Sequence, residues 1–178
     1  MKRQVILITG ANGFLGRHLG EYLSRDHEVI GTVRQASDLP FQVIQTGDLT
    51  TFQGFNRELK IDCVVHCAGL AHQLKGATFD DYYRANVSST KRLVEAALQI
   101  GMKRFVYISS IKVLGESSKH QTWDERTAAD PMDDYAKSKF LAEQYLSQET
   151  GHAFEWVIVR PTLIYGGHKN LGNLKMLE

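Results

Sequence analysis

An apolar run, Gln4–Thr9 (QVILIT), passes without a break into Gly10-Ala11-Asn12-Gly13-Phe14-Leu15-Gly16, and a segment of helical period follows. A continuous apolar run of that length reads as a strand covered on both faces. Phe14, Leu15, Leu19, Tyr22 and Leu23 then fall at helical spacing across Phe14–Ser24. Glycines in G-x-x-G-x-x-G spacing supply the tight strand-to-helix turn, room for close backbone approach, and close packing of helix on strand. The helix start offers unpaired N–H groups and a positive dipole end to an anion. An ordinary βα turn would need none of this. With an apolar strand before and an amphipathic helix after, the glycines point to a dinucleotide pyrophosphate held by Gly10, Asn12, Gly13, Phe14, Leu15 and Gly16.

The rest of the chain keeps the alternation going. Glu28–Val33, Gln42–Gln45, Cys63–His66, Arg104–Ser109 and Phe154–Arg160 read as strands. Helical spacing returns from about Ser88 to Ile100 and from Tyr135 to Thr150. Such alternation implies an α/β fold, a Rossmann-type doubly wound parallel sheet, with residues 1–178 forming one dinucleotide-binding domain. The polar stretch Glu116–Asp134 reads as a long surface loop of the kind that serves function.

Composition removes other classes. The 178 residues are 43% hydrophobic, enough for a single core without disulfides. Lys and Arg number 21 against 20 Asp and Glu, so no net field draws nucleic acid or an anionic membrane. No apolar run approaches the ~20 residues that a bilayer span needs, and no secretory signal is evident, so a cytoplasmic protein is expected. Cys63 and Cys67 stand in C-x3-C spacing, which matches neither a zinc knuckle nor a redox pair, and no metal site is expected.

Tyr135 and Lys139 stand at i and i+4, one turn apart on one helix face. A phenol ionises near ~10 and serves as an acid or base at neutral pH only where its phenolate is stabilised. A fixed ammonium one turn away does that, although a surface Tyr and Lys would look the same in sequence. Upstream, Arg104–Ser109 leads to Ser110, a hydroxyl at the carboxyl edge of the sheet, where ligands of open α/β sheets bind.

Thr9-Gly10-Ala11-Asn12-Gly13-Phe14-Leu15-Gly16, opening the chain, resembles the extended short-chain dehydrogenase/reductase family of NAD(P)-dependent sugar-nucleotide epimerases, dehydratases and reductases. The resemblance extends to Gly166. It implies Ser110, Tyr135 and Lys139 as the catalytic set, with Leu114 replacing the usual Tyr of the Val-Tyr-Gly that follows the serine. It also implies cofactor binding by Asp48 and Leu49 at the adenine, by Cys67, Ala68, Gly69 and Lys139 at the ribose, and by Asn86, the structural Asn of the family. Arg160–Gly166 looks like the segment that leads toward substrate.

The departures narrow the reading. Ile111 and Lys112 stand where the dehydratases of this family carry Asp-Glu, which argues against water elimination. A 4-epimerase or 4-ketoreductase acting on a UDP-linked hexose remains, most like enzymes of bacterial surface-polysaccharide pathways. The second strand ends in Val33-Arg34, with no acid until Asp38 to bind a ribose 2′-hydroxyl. Arg34 suits a 2′-phosphate, so NADP is preferred to NAD. In the family, the helices at 88–100 and 135–150 pair with their mates, so a homodimer is expected through Leu93, Ala96, Leu98, Phe140, Leu141, Tyr145 and Leu146. Family members also continue into a substrate lobe that is largely absent here, so the chain reads as a truncation or a naturally short protein, with Leu177-Glu178 a candidate cloning remnant. The competing reading is a catalytically idle dinucleotide-binding module that senses redox state or binds a partner.

Overall fold

A computed structural model describes residues 2–56, 58–71, 76–118, 122–149 and 153–166. Strands β1 (Val5–Thr9), β2 (Glu28–Val33), β3 (Gln42–Gln45), β4 (Cys63–His66), β5 (Arg104–Ile108) and β6 (Glu155–Val159) form one parallel sheet in the order β3-β2-β1-β4-β5-β6. Order therefore reverses between β1 and β4. In sheets of this type that switch point opens a crevice at the carboxyl ends of the strands. The expected Leu177-Glu178 remnant lies outside the described residues.

The two faces of the sheet are covered by different helices. Helices α3 (Ser89–Gln99) and α4 (Asp134–Glu149) bury Leu93, Val94, Ala97, Ala142 and Leu146 against Leu7, Val64, Phe105 and Tyr107. Helix α1 (Phe14–Leu23) lies on the other face, where Leu19 and Leu23 meet Ile6, Ile8, Val29 and Val65. The register pairs Val106 with Val157, so Val157 and Val159 share this second face. They remain 48% and 40% exposed, because α1 packs over β1 and β2.

The helical run before α3 starts earlier than the apolar spacing predicts. A short helix, α2 (Phe79–Tyr82), opens with Thr78 and Asp81 exchanging side-chain and backbone hydrogen bonds. A π-helical segment, Tyr83–Ser88, then leads into α3. Such a bulge leaves carbonyls poorly paired. Here the Ser89 and Thr90 hydroxyls donate to the Ala85 and Asn86 carbonyls and complete them.

The apolar residues expected to form a dimer face divide on inspection. Leu93 and Leu146 are buried within the chain's own core, because α3 and α4 turn them toward the sheet, and Ala96 is buried as well. Leu98 is exposed, and Phe140, Leu141 and Tyr145 are half-buried. The stretch after Glu116, with residues 119–121 outside the described part, is tied back to the segment after β5. The Asp130 N–H reaches the Val113 carbonyl (2.9 Å), and Asp133 pairs with Lys112 (2.8 Å).

Candidate active site

The exits of β1 to β6 meet along the carboxyl edge of the sheet, with two adjoining cavities there. One, about 240 Å³, is lined by Gly10, Asn12, Gly13, Arg34, Asp48, Leu49, Ala68 and others. The second, about 530 Å³, is lined by Phe14, Leu15, Ser110, Lys112, Tyr135, Lys139 and the Pro161–Ile164 stretch. Cys67 and Gly69 belong to both and form the passage between them. A larger hollow, about 1150 Å³, lies at the amino ends of the strands, between Lys2 and Trp156, away from these residues.

The glycine loop is shaped by close backbone contact. Gly10 takes φ +64°, and a Cβ there would stand 2.9 Å from the Ala68 backbone. The β4 exit can therefore press directly on the loop. Gly13 starts α1 in extended conformation with no side-chain cap, and the first turn holds no acidic residue. The first N–H groups of α1 are thus left for an anion. At Gly69 a Cβ would lie 2.6 Å from Asn86 Oδ1 and 3.5 Å from Lys139 Nζ. The passage between the cavities is a backbone cradle, and its shape suits a dinucleotide lying across both.

Around the smaller cavity, Asp48 accepts from the Thr50 N–H and hydroxyl, both at 2.9 Å, and faces Arg84 at 3.7 Å. The Thr50 N–H chiefly holds its carboxyl below the usual range. Leu49 is mostly covered and forms the floor. Arg34 emerges at the β2 exit, exposed, close enough to Asp48 for its charge to be felt. Among the described residues that line this cavity the acid is Asp48, from the loop after β3, and the β2 exit itself carries Arg34.

Asn86 does not face a cavity. It is 1% exposed, and its Oδ1 accepts the Leu70 N–H (2.7 Å). Its amide donates to the Leu70 carbonyl (3.1 Å) and the Ser138 hydroxyl (2.9 Å). The loop after β4 is thereby tied to α4. A second buried link, absent from the sequence reading, runs beneath the glycine loop. His66 lies between the Thr9 hydroxyl (2.6 Å) and the Thr90 hydroxyl (3.0 Å), and Thr9 Oγ1 also accepts the Ala68 N–H (3.1 Å). Full burial, with the Lys139 charge nearby, pushes His66 down to about 3.

In the larger cavity the Ser110 hydroxyl hydrogen-bonds the Tyr135 phenol and accepts the Lys112 N–H (3.2 Å). Tyr82 braces the Tyr135 ring edge-on, at 5.8 Å between centroids. Burial pushes the Tyr135 phenol up, while the Ser110 bond and the Lys112 charge pull it down. Lys139 also reaches the exit of β5. Its ammonium donates to the Ile108 carbonyl (2.9 Å) and lies over the Tyr107 ring (4.9 Å). Burial lowers it to about 8. Lys112, held by Glu116 (2.7 Å) and Asp133 (2.8 Å), is a cation at the cavity wall that sequence reasoning had treated only as a missing acid.

Cys63 is buried in the sheet, and Cys67 lines both cavities with its thiol pushed up to about 12 by burial. The described residues hold no cluster of three or more His, Cys, Asp or Glu that could bind a metal. None of the described helices is long and apolar enough to cross a membrane.

The chain is similar to several known proteins. The chain is 36% identical over 173 residues to a UDP-glucose 4-epimerase of Vibrio cholerae, covering 90% of the chain and 52% of the relative. It is 32% identical to an N-acetyl-alpha-D-glucosaminyl-diphospho-ditrans,octacis-undecaprenol 4-epimerase of Escherichia coli O157:H7, covering 95% of the chain and 51% of the relative. The chain thus spans about half the length of the curated relatives it matches. The crystal structure of a UDP-glucuronic acid 4-epimerase from Bacillus cereus in complex with NAD superposes with a TM-score of 0.76 at 26% identity, over 93% of this chain and 58% of that one. The profile of the NAD dependent epimerase/dehydratase family matches residues 6–177, and the chain belongs to that family.

Proposed function

We propose that this chain is the cofactor-binding and proton-transfer portion of an NAD(P)-dependent sugar-nucleotide 4-epimerase or 4-ketoreductase acting on a UDP-linked hexose. The observation that supports it most directly is the meeting of Ser110, Tyr135 and Lys139 in a cavity that shares Cys67 and Gly69 with the glycine-loop cavity. When bound, the nicotinamide cofactor supplies the hydride acceptor and donor. The side chains do the rest. Tyr135 exchanges a proton with the sugar C4 oxygen, and Ser110 orients both by hydrogen bonding. Lys139, fixed by the Ile108 carbonyl, holds positive charge one turn from the phenol and faces the Gly69 cradle, where a ribose would be held. The named 4-epimerases among the relatives support chemistry at C4, and Ile111 and Lys112 speak against elimination.

Arg34 at the β2 exit supports NADP(H), and through it a reductase; the NAD bound in the Bacillus cereus relative favours the epimerase instead. A homodimer through Leu98, Phe140, Leu141 and Tyr145 remains part of the reading, and a single monomeric species on sedimentation at micromolar concentration would remove it. The test of the reaction is turnover of UDP-hexoses at C4 by wild type and Tyr135→Phe. Loss of a positioned acid/base costs about 10²–10⁴ in rate. Equal turnover of the two proteins would overturn the assignment.

A further inference from the structure

Glu143 stands one turn beyond Lys139 and two turns beyond Tyr135, on the same face of α4. It is 3% exposed and accepts three hydrogen bonds. The Ser109 hydroxyl supplies one, and Arg160 supplies two, from Nε (3.0 Å) and Nη2 (2.6 Å). These donors come from the exits of two different strands. The exits are also laced together: the Ser109 N–H meets the Val159 carbonyl (2.8 Å), and the Ile111 N–H meets the Pro161 carbonyl (3.0 Å). Ser109 directly precedes Ser110, and Arg160 directly precedes the Pro161–Ile164 wall of the larger cavity. A buried ion pair is a poor way to gain stability, because apolar residues of similar volume often do as well. What it does supply is fixed direction, through paired charge-assisted bonds.

We propose that Glu143 is a positioning residue for the reaction proposed above, setting Ser110 and the Pro161–Ile164 wall against Tyr135 from beneath the cavity. It rests on that reading of the site. Glu143 reaches the reacting atoms only through its neighbours. It also acts on Lys139, whose surroundings among the described residues include the Ile108 carbonyl and Tyr107 ring on β5, buried His66 and Cys67 at the β4 exit, the Gly69 backbone, and Glu143 on α4 itself. Within that set Glu143 is the carboxylate, and its charge opposes the loss of the Lys139 proton that burial promotes.

The test compares wild type, Glu143→Gln, Glu143→Gln/Arg160→Met and Ser109→Ala for kcat on a UDP-hexose across pH, for cofactor affinity by calorimetry, and for Tm. Glu143→Gln should lower kcat about 10²-fold, the cost of a misplacement near 1 Å. Its cofactor affinity should stay close to wild type. The basic limb of the kcat profile should move down, since the lysine loses a neighbouring negative charge. The double variant should recover Tm, because no charge is left buried alone, yet keep the low kcat and the shifted limb. A double variant with wild-type kcat and limb would reduce Glu143 to a structural partner and overturn the proposal. Ser109→Ala leaves both charges in place. It should lower kcat without moving the limb, and it decides the case if neither charge variant folds: unchanged kcat there overturns the proposal too. Cofactor binding by wild type without C4 turnover would instead overturn the proposed function, and the role of Glu143 would fall with it.

Discussion

Gly16 approaches Gly10 so closely that a Cβ on Gly16 would stand 2.3 Å from the Gly10 carbonyl oxygen. The obstacle is backbone, so no rotamer change relieves it. The third glycine of the motif is thus set by contact within the turn itself, and the phosphate-binding loop keeps its shape only while α1 stays pressed against it.

Gly16→Ala should therefore lower stability by about 1–3 kcal/mol, the usual cost of overpacking. It should also weaken cofactor affinity in calorimetric titration, since Gly10 must move. At Gly13 the same Cβ would meet the Gly10 oxygen at 3.1 Å, so Gly13→Ala should cost less. The reverse order would show that the contact at Gly16 is not what shapes the loop.

Lys139 holds its proton up to about 8 in the fold and up to about 10.5 unfolded. Between those values the unfolded chain carries the extra proton, so stability rises with pH through that window. Lys139→Met removes the buried charge and one hydrogen bond together. At pH 7 it should be more stable than wild type by about 2 kcal/mol, with the advantage fading toward pH 10.5 as the wild-type lysine neutralises, while C4 turnover collapses. Urea unfolding across that range measures it. A variant less stable at pH 7 would mean that the lysine is well solvated as a cation.

His66 behaves with the same sign at lower pH. Unfolded, it takes up a proton near 6.5; folded, it resists until about 3. Stability should fall as pH drops from 6.5 toward 3, with a slope approaching one proton in excess of His66→Gln. Parallel stability curves for the two proteins would show that the imidazole accepts a proton in place.

Arg34→Asp replaces attraction by repulsion at the β2 exit. A guanidinium–phosphate bond contributes about 1.5–3 kcal/mol, and ~1.4 kcal/mol is tenfold in affinity. The preference for NADP over NAD should drop at least tenfold on calorimetry, with NAD affinity held or improved. An unchanged ratio would make Arg34 a bystander and favour the 4-epimerase reading.

The sheet could be read from residues because its strands are short apolar runs bounded by polar or glycine residues. Glu28–Val33, Gln42–Gln45 and Cys63–His66 match the expected ranges, and β1, β5 and β6 differ only at their ends. The site was legible to the extent that its residues sit at strand exits or at i, i+4. What escaped was tertiary direction. Spacing placed Lys139 beside Tyr135 on a face of α4, but it could not show the ammonium turning to Ile108. The apolar residues of α3 and α4 suggested a wide partner face, yet Leu93 and Leu146 belong to the sheet core and Ala96 is buried. Two signals were available and passed over. Thr78-x-x-Asp81 marks the early helix start, and Glu143, a further four residues along from Lys139, extends the catalytic stripe.

The bare side of β6 has a consequence for handling the protein. Val157 and Val159 leave an apolar strip on the sheet face that α1 does not reach, and among the described residues β6 has a hydrogen-bonded neighbour only in β5. An open strand edge with apolar flanks is a template for pairing with another chain. Two copies pairing β6 edge to edge about a two-fold axis would close as a dimer, burying Val157 and Val159 with no helix taking part.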